Sequence, residues 1–431
     1  MGNQDLQEKI QIITSKVQDN KYIASISKGL SSMMPIILAG AIFILLDSLN
    51  FDFWQSFLVQ TGLKEFTAIP SAVTLDMLSI YVVFGVANAM AREFNRDGVA
   101  AGSIALLSFL ILTPMGAADD GTVFLSMQWL GAAGLFVALI VGLAVGRLLV
   151  FIMNKEMYIR MPEGVPPNIS RAFEAVMPAF ISVFLMLVVR GIFAVTPFEN
   201  IHEFIYSIVQ APLTALGGQW WSYLIVTLVM CILWFFGIHG TLAVLGIMMP
   251  IWTTLGLENL EAYQAGAELP HIITGTQFFL VYTAIGGTGA TIGLAALFLG
   301  AKSKRYRTLG KLAIVPALTG INEPIFFGTP LVLNIKLLIP LLVAPLVTSS
   351  LAIVATVLEI VPRLNGIGVP LGTPIILSGI ISGGWRVAVL QVILAGISAL
   401  IWYPFFRLID KEAVADEQVE VPVAETTETF A

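Results

Sequence analysis

A chain of 431 residues with 22 Lys+Arg and 28 Asp+Glu is charged at 12 % of its positions, where a soluble domain is charged at about 25 %. With 57 % hydrophobic residues and a mean hydropathy of +0.89, it has too little polar surface to wrap a water-soluble body; the composition is that of an all-α polytopic membrane protein. The net charge of −6 offers no cationic surface for nucleic acid, and a single cysteine, Cys231, excludes an internal disulfide, a thiolate metal cluster and a two-cysteine redox pair. No metal or cofactor is expected.

The N-terminal segment, residues 1–28, alternates Leu6, Ile10, Ile13 and Val17 with charges and reads as an amphipathic interfacial helix. It has no apolar core ahead of a small-residue cleavage site, so it does not read as a signal peptide. Runs of about 20 apolar residues then mark bilayer spans. Five fall in the first half, at 29–46, 72–91, 98–118, 121–146 and 175–197. Residues 204–257 contain no Asp, Glu, Lys or Arg and suffice for two spans joined near Gly237. Further spans are expected at 272–301, 337–358 and 387–406, giving about ten transmembrane helices. Between them, 312–334 and 372–384 are short and broken by Pro316, Pro324, Pro330, Pro374 and paired glycines; both read as re-entrant hairpins.

Cytoplasmic loops collect Lys and Arg, so charge placement tests the map. Basic residues before 29, after 91, after 146 and in KSKRYR at 302–307 fall on one side, while Asp52, Glu65, Asp119, Asp120, Glu199, Glu203, Glu258, Glu261 and Glu268 fall on the other. Only Lys64, Arg190, Arg363 and Arg386 depart from the pattern, which puts both termini in the cytoplasm and the chain across the cell membrane many times. Residues 411–431 gather acidic side chains and read as a disordered cytoplasmic tail. Composition shifts at 198–218, taken as a connecting segment between a bundle at 29–197 and a second domain at 219–410.

Ionisable groups at membrane depth are costly, so each is a candidate for function. Arg190 and Arg386 lie near span ends and read as snorkelling side chains, Asp76 as a helix-to-helix contact, and His202 and His271 as loop residues. Glu323 is different. It stands in GINEPIFFGTP before Pro324, which pushes it out of helical geometry, and non-helical backbone at membrane depth lines a cavity. Asn322 beside it supplies a donor and an acceptor suited to a hydroxyl-rich ligand. His239 in FFGIHGT lies at a glycine-flanked break and also faces a cavity or kink. Gly287 and Thr288 in AIGGTGATIGLA belong to a loop whose amides could approach a substrate; no strand precedes it, so it is not a dinucleotide loop. Trp234 and Trp385 flank the broken elements and offer faces for sugar stacking or anchors at the membrane interface.

The motifs FFGIHGT, GGTGATIGLA and GINEPIFFGTPLVLN, in this order on a second five-span half, resemble the membrane EIIC component of the bacterial phosphotransferase system, in its lactose/cellobiose/diacetylchitobiose branch. The resemblance covers nearly the whole chain. It implies an N-terminal dimerisation bundle, hence a homodimer, and a transport domain with two re-entrant hairpins. It implies a permease that binds an outside disaccharide, carries it across, and presents a hydroxyl to a phosphorylated cysteine on an EIIB protein served by EIIA. The family's Glu and His fall on Glu323 and His239, as base and orienting group; Asn322 and Trp234 fall on sugar contacts. With Cys231 in the apolar run IVTLVMCILWFF, EIIB and EIIA are expected to be separate polypeptides, and the basic loop 302–311 is a candidate docking surface. A proton-driven secondary transporter, with Glu323 as proton carrier, and a membrane-embedded sugar transferase are the competing classes.

Overall fold

The computed structural model describes residues 20–420, apart from 34, 37, 38, 41, 42, 44, 45, 47–51, 75, 119, 163, 330, 370 and 371. Most of the expected amphipathic segment 1–28, much of the span at 29–46, and residues 421–431 therefore lie outside the described residues. The rest is mostly helical, as expected of an all-α polytopic membrane protein. The chain divides into two compact units. Among the described residues, one holds 20–217 together with Leu245–Glu268; the other holds Gly218–Val244 and 269–420.

The first unit begins with α1 (Lys21–Ser32), α2 (Asp52–Gln60) and α3 (Leu63–Thr74) and centres on α4 (Leu78–Glu93), α5 (Gly98–Leu112) and α6 (Leu135–Asn154). Without water, lipid-embedded helices associate through close backbone approach at small residues. Here Gly29 of α1 sits where a Cβ would come 2.5 Å from Val86 of α4, and Gly142 of α6 packs on the backbone of Val83. A two-stranded hairpin, β1 (Met115–Ala117) with β2 (Val123–Leu125), shortens the expected span 98–118 to α5 and an extended turn. Next come α7 (Pro167–Glu174), α8 (Val176–Ala194) and α9 (Ile201–Gly217). Residues 198–217, read from composition as a connector, belong to this unit: His202 is buried against Phe109 and Trp129, and Gln210 donates to Ala132 O at 3.1 Å.

The second unit opens with α10 (Trp220–Phe235). A break at 236–239 follows, as the sequence reading placed it, and α11 (Gly240–Gln264) begins in this unit and ends in the other. The expected span 272–301 is not one helix. It is a short helical segment Thr276–Phe278, a π-helical turn Phe279–Thr283, a non-helical stretch 284–291 and then α12 (Ile292–Leu299). The cause is local: Gly286, Gly287 and Gly289 all have positive φ, which a continuing helix cannot accommodate. The chain closes with α13 (Lys304–Leu318), α14 (Glu323–Gly328), α15 (Ile335–Val357), α16 (Leu377–Gly383) and α17 (Trp385–Glu420).

Among the described residues six helices are long and apolar enough to cross a membrane: Leu63–Glu93, Ala132–Asn154, Ile169–Ala194, Gly240–Gln264, Ile335–Val357 and Trp385–Gln418; the bent pair α9–α10 passes the same test together. The segment 312–334 breaks between α13 and α14, and 372–384 carries only the two-turn α16, so neither is a full span. The acidic stretch after Lys411, expected to be a disordered tail, is helical as far as Glu420. Asp410 accepts from the backbone N–H groups of Lys302 and Ser303 at 2.9 and 3.0 Å, and Glu417 from those of Lys304 and Arg305 at 3.0 and 2.9 Å. These carboxylates satisfy the otherwise unpaired N–H groups at the start of α13, which is why the helix continues.

Candidate functional site

Three breaks in the second unit converge on one cluster. Gly237, with φ +80°, ends α10, and Leu333 N–H donates to Phe235 O at 2.8 Å, tying that end to the loop after α14. His239 follows at once. Leu242 N–H donates to its Nδ1 at 3.3 Å, so the ring proton of the neutral imidazole sits on Nε2. That Nε2 lies 3.8 Å from Oε1 of Glu323.

Glu323 is the first residue of α14, where Pro324 needs no helical N–H partner. Its side chain is 46 % exposed, and that of His239 37 %, so both open onto free space. Glu323 Oε2 is nonetheless shielded and has no hydrogen-bond partner among the described residues. Asn322 stands at the cap position, where Asn usually accepts from the next turn, but makes no such bond. Instead its Nδ2 donates to Thr288 O at 2.7 Å, leaving the start of α14 tied to the glycine-rich loop. The approach is close because position 287 is glycine at φ +95°.

Trp234 completes the cluster. Its ring lies 4.4 Å from that of His239 and 4.5 Å from that of Phe326, and its Nε1 donates to Thr241 Oγ1 at 3.1 Å. Thr241 Oγ1 pairs with Thr288 Oγ1 at 2.5 Å. His239, Glu323, Asn322, Trp234, Gly287 and Thr288, all singled out from the sequence, are thus brought together. Trp385 is not: it is 71 % exposed at the start of α17 and shares none of these contacts. Thr241 and Phe326 were missed. Both sit inside the motifs already quoted, two residues after His239 and three after Glu323, but a hydroxyl and a ring there carry no sequence signal that sets them apart.

The cluster offers an imidazole N–H, a carboxylate with one oxygen unpartnered, and aromatic rings beside them. Comparison with known proteins decides what family uses it. Residues 27–345 match the model of the family described as "Phosphotransferase system, EIIC". The chain belongs to this family. It is 36 % identical to the lichenan permease IIC component of Bacillus subtilis, over 98 % of this chain and 97 % of that one. It is 33 % identical to the cellobiose-specific EIIC component of Geobacillus stearothermophilus, over 97 % and 96 %. Its fold matches the crystal structure of the transporter ChbC, the IIC component of an N,N'-diacetylchitobiose-specific phosphotransferase system, with a TM-score of 0.90 and 32 % identity over 96 % of this chain and 99 % of that one. The chain is therefore an EIIC sugar permease component, an integral membrane protein of a system in which EIIC works with EIIB and EIIA.

Proposed function

We propose that this EIIC component binds a disaccharide of the cellobiose, diacetylchitobiose or lactose type from outside, moves it across the membrane, and holds one hydroxyl for phosphorylation by a phosphocysteine on a separate EIIB. The observation that carries this reading is the 3.8 Å gap between His239 Nε2 and Glu323 Oε1, with Glu323 Oε2 unpartnered beside it. The gap is too long for a direct hydrogen bond. A sugar hydroxyl set beside both groups accepts from the imidazole N–H and donates to the Glu323 carboxylate, so one hydroxyl meets a donor and an acceptor at once.

From that position the chemistry follows. Glu323 takes the hydroxyl proton as the sugar oxygen attacks the phosphorus of the EIIB phosphocysteine, the P–S bond breaks and the EIIB cysteine leaves as a thiolate; His239 fixes the direction of the oxygen lone pair, and Asn322 holds the carboxylate's helix in place through Thr288. Phosphoryl transfer depends mainly on alignment of nucleophile and phosphorus, so a rigid three-break cluster is the right kind of machinery. The face of Trp234, already packed on His239, is suited to the apolar face of a pyranose ring.

Cys231 is buried in α10, which supports a phosphodonor cysteine on another polypeptide. The exposed cations Lys302, Lys304, Arg305, Arg307 and Lys311 support docking of that partner on the side where both termini are assigned by charge. The unit containing α8, which exposes Phe180, Phe184, Leu187 and Ile192, is assigned to homodimer formation. The reading is tested by phosphoenolpyruvate-dependent phosphorylation of labelled disaccharide in vesicles supplied with the soluble components. Uptake driven by a proton gradient without formation of sugar phosphate would favour the secondary-transporter class instead.

A further inference from the structure

Gln391, on α17, is fully buried and commits its whole side-chain amide to the segments behind the cluster. Its Oε1 accepts from Ile376 N–H at 2.9 Å; its Nε2 donates to Val281 O at 2.9 Å and to Ser378 Oγ at 3.0 Å. Ile376 has φ +74° and ψ −56°. This is the geometry of a γ-turn that is rare for any residue, and a β-branched side chain makes it worse. Such a conformation persists only where its surroundings over-determine it.

What the turn at Ile376 holds is specific. The neighbouring Ile375 donates its N–H to Leu318 O at 2.9 Å, at the end of α13, and only the turn 319–322 separates Leu318 from Glu323. On the other side, Val281 belongs to the π-helical turn that runs on through Ala284 to Gly287, whose backbone lies against Asn322. One side chain therefore grips both segments that back the Asn322–Glu323 turn. A cavity lies where they meet, lined by Leu280, Ala284, Thr319, Gly320, Thr373 and Ser378. The turn carrying Glu323 has this open space behind it; the bond from Ile375 reaches its α13 end, and Val281 lies on the segment that leads to Gly287 against Asn322.

We propose that Gln391 is a positioning residue for Glu323: through the strained turn at Ile376 and the carbonyl of Val281 it sets the register of the Asn322–Glu323 turn against His239. The inference rests on the reading that Glu323 meets the sugar hydroxyl. Loss of the Gln391 amide frees Ile376 to leave its strained conformation, and the bond from Ile375 to Leu318 then loses its geometry. Glu323 stays at the start of α14 but out of line with the imidazole.

The test uses the full chain, with equilibrium binding of cellobiose, lactose and diacetylchitobiose and phosphorylation turnover of whichever binds. Gln391→Ala should lower turnover at saturating sugar by about tenfold to a hundredfold, because misplacing a reacting group by an ångström costs that much, while the sugar Kd changes by less than about threefold. Ile376→Gly in the same chain should recover most of the loss, since glycine takes positive φ without help. If Gln391→Ala accumulates poorly, Gln391→Glu carries the test: it keeps bulk and an acceptor for Ile376 but loses the donor to Val281, and an intermediate turnover is expected. Unchanged turnover in these variants, or turnover that falls only in step with the amount of folded protein and is not recovered by Ile376→Gly, would overturn the inference. A wild-type chain that binds none of the three sugars, or a Glu323→Gln variant with wild-type turnover, would instead overturn the reading of the site on which it rests.

Discussion

The backbone of Gly287 lies against the side chain of Asn322 so closely that a Cβ at 287 would come within 2.5 Å of both Asn322 Cβ and Cγ. The next residue supplies the carbonyl that holds the Asn322 amide, so the contact fixes the glycine-rich loop to the start of α14. Gly287→Ala adds a methyl group at φ +95° and must push Asn322 away. Sugar affinity is expected to fall about tenfold or more through displacement of Asn322 and Glu323 rather than loss of any donor or acceptor. Equilibrium binding checks it; Gly300→Ala, with its nearest new contact at 3.7 Å, should leave binding unchanged.

Glu323→Gln keeps the shape of the side chain and removes the base. Phosphorylation should fall by about 10² to 10⁴, the usual worth of a general base, with sugar binding falling much less. His239→Ala removes the N–H that orients the hydroxyl but leaves the carboxylate, so its loss should be smaller. Were Glu323 a proton carrier, Glu323→Gln would abolish proton-driven uptake and leave sugar exchange across the membrane intact. Turnover, binding and exchange measured on the same three proteins separate the two roles.

The site was legible in the sequence because its chemistry rests on residue types that are expensive at membrane depth. Glu323 before a proline and His239 between glycines cannot be explained by lipid-facing helices, and the structure brings them within 3.8 Å. Trp385, read as a face for sugar stacking or an anchor at the membrane interface, stands outside the cluster because the glycine pair before it starts α17 with the ring turned outward, 71 % exposed. The span expected at 272–301 failed for a related reason. Hydropathy averages over a window, and Gly286, Gly287 and Gly289 count as mildly apolar residues while their positive φ values end the helix. The acidic end of α17 was also invisible: Glu417 looks like a solvated tail residue, and Asp410 just before that tail carries no signal, until their partners, backbone N–H groups about a hundred positions away, are known.

That pairing gives a stability prediction. Asp410 is almost fully buried and accepts from two N–H groups ahead of α13, so Asp410→Ala leaves both donors unpaired. The cost should be about 1–2 kcal/mol, as for loss of a helix cap. Thermal unfolding in detergent should show a lowered midpoint for Asp410→Ala and a smaller change for Glu417→Ala, whose two bonds lie at the solvent-exposed edge.

Cys231 is fully buried within α10. A soluble phosphodonor cannot reach it, and the proposed phosphocysteine belongs to EIIB. Cys231→Ser should therefore retain phosphorylation within about twofold of wild type, allowing for the modest penalty of a hydroxyl in an apolar helix. Loss of phosphorylation with protein level and sugar binding unchanged would place the phosphate carrier on this chain.

The last prediction concerns sidedness and uses Cys231→Ser as its background. Basic residues at 302–311 form the densest cationic cluster in the sequence, and Lys304 is exposed at the start of α13. The positive-inside rule assigns this loop to the cytoplasm, and the acidic stretch 258–268 to the outside. A cysteine introduced at position 304 should resist an impermeant thiol reagent added to intact cells and react once the membrane is opened, whereas one at position 266, an exposed glycine just beyond α11, should react in intact cells. The charge-derived map puts the two sites on opposite sides of the bilayer, so they are expected to label in opposite senses. Labelling of position 304 from outside would invert the map, and with it the side on which EIIB meets the sugar.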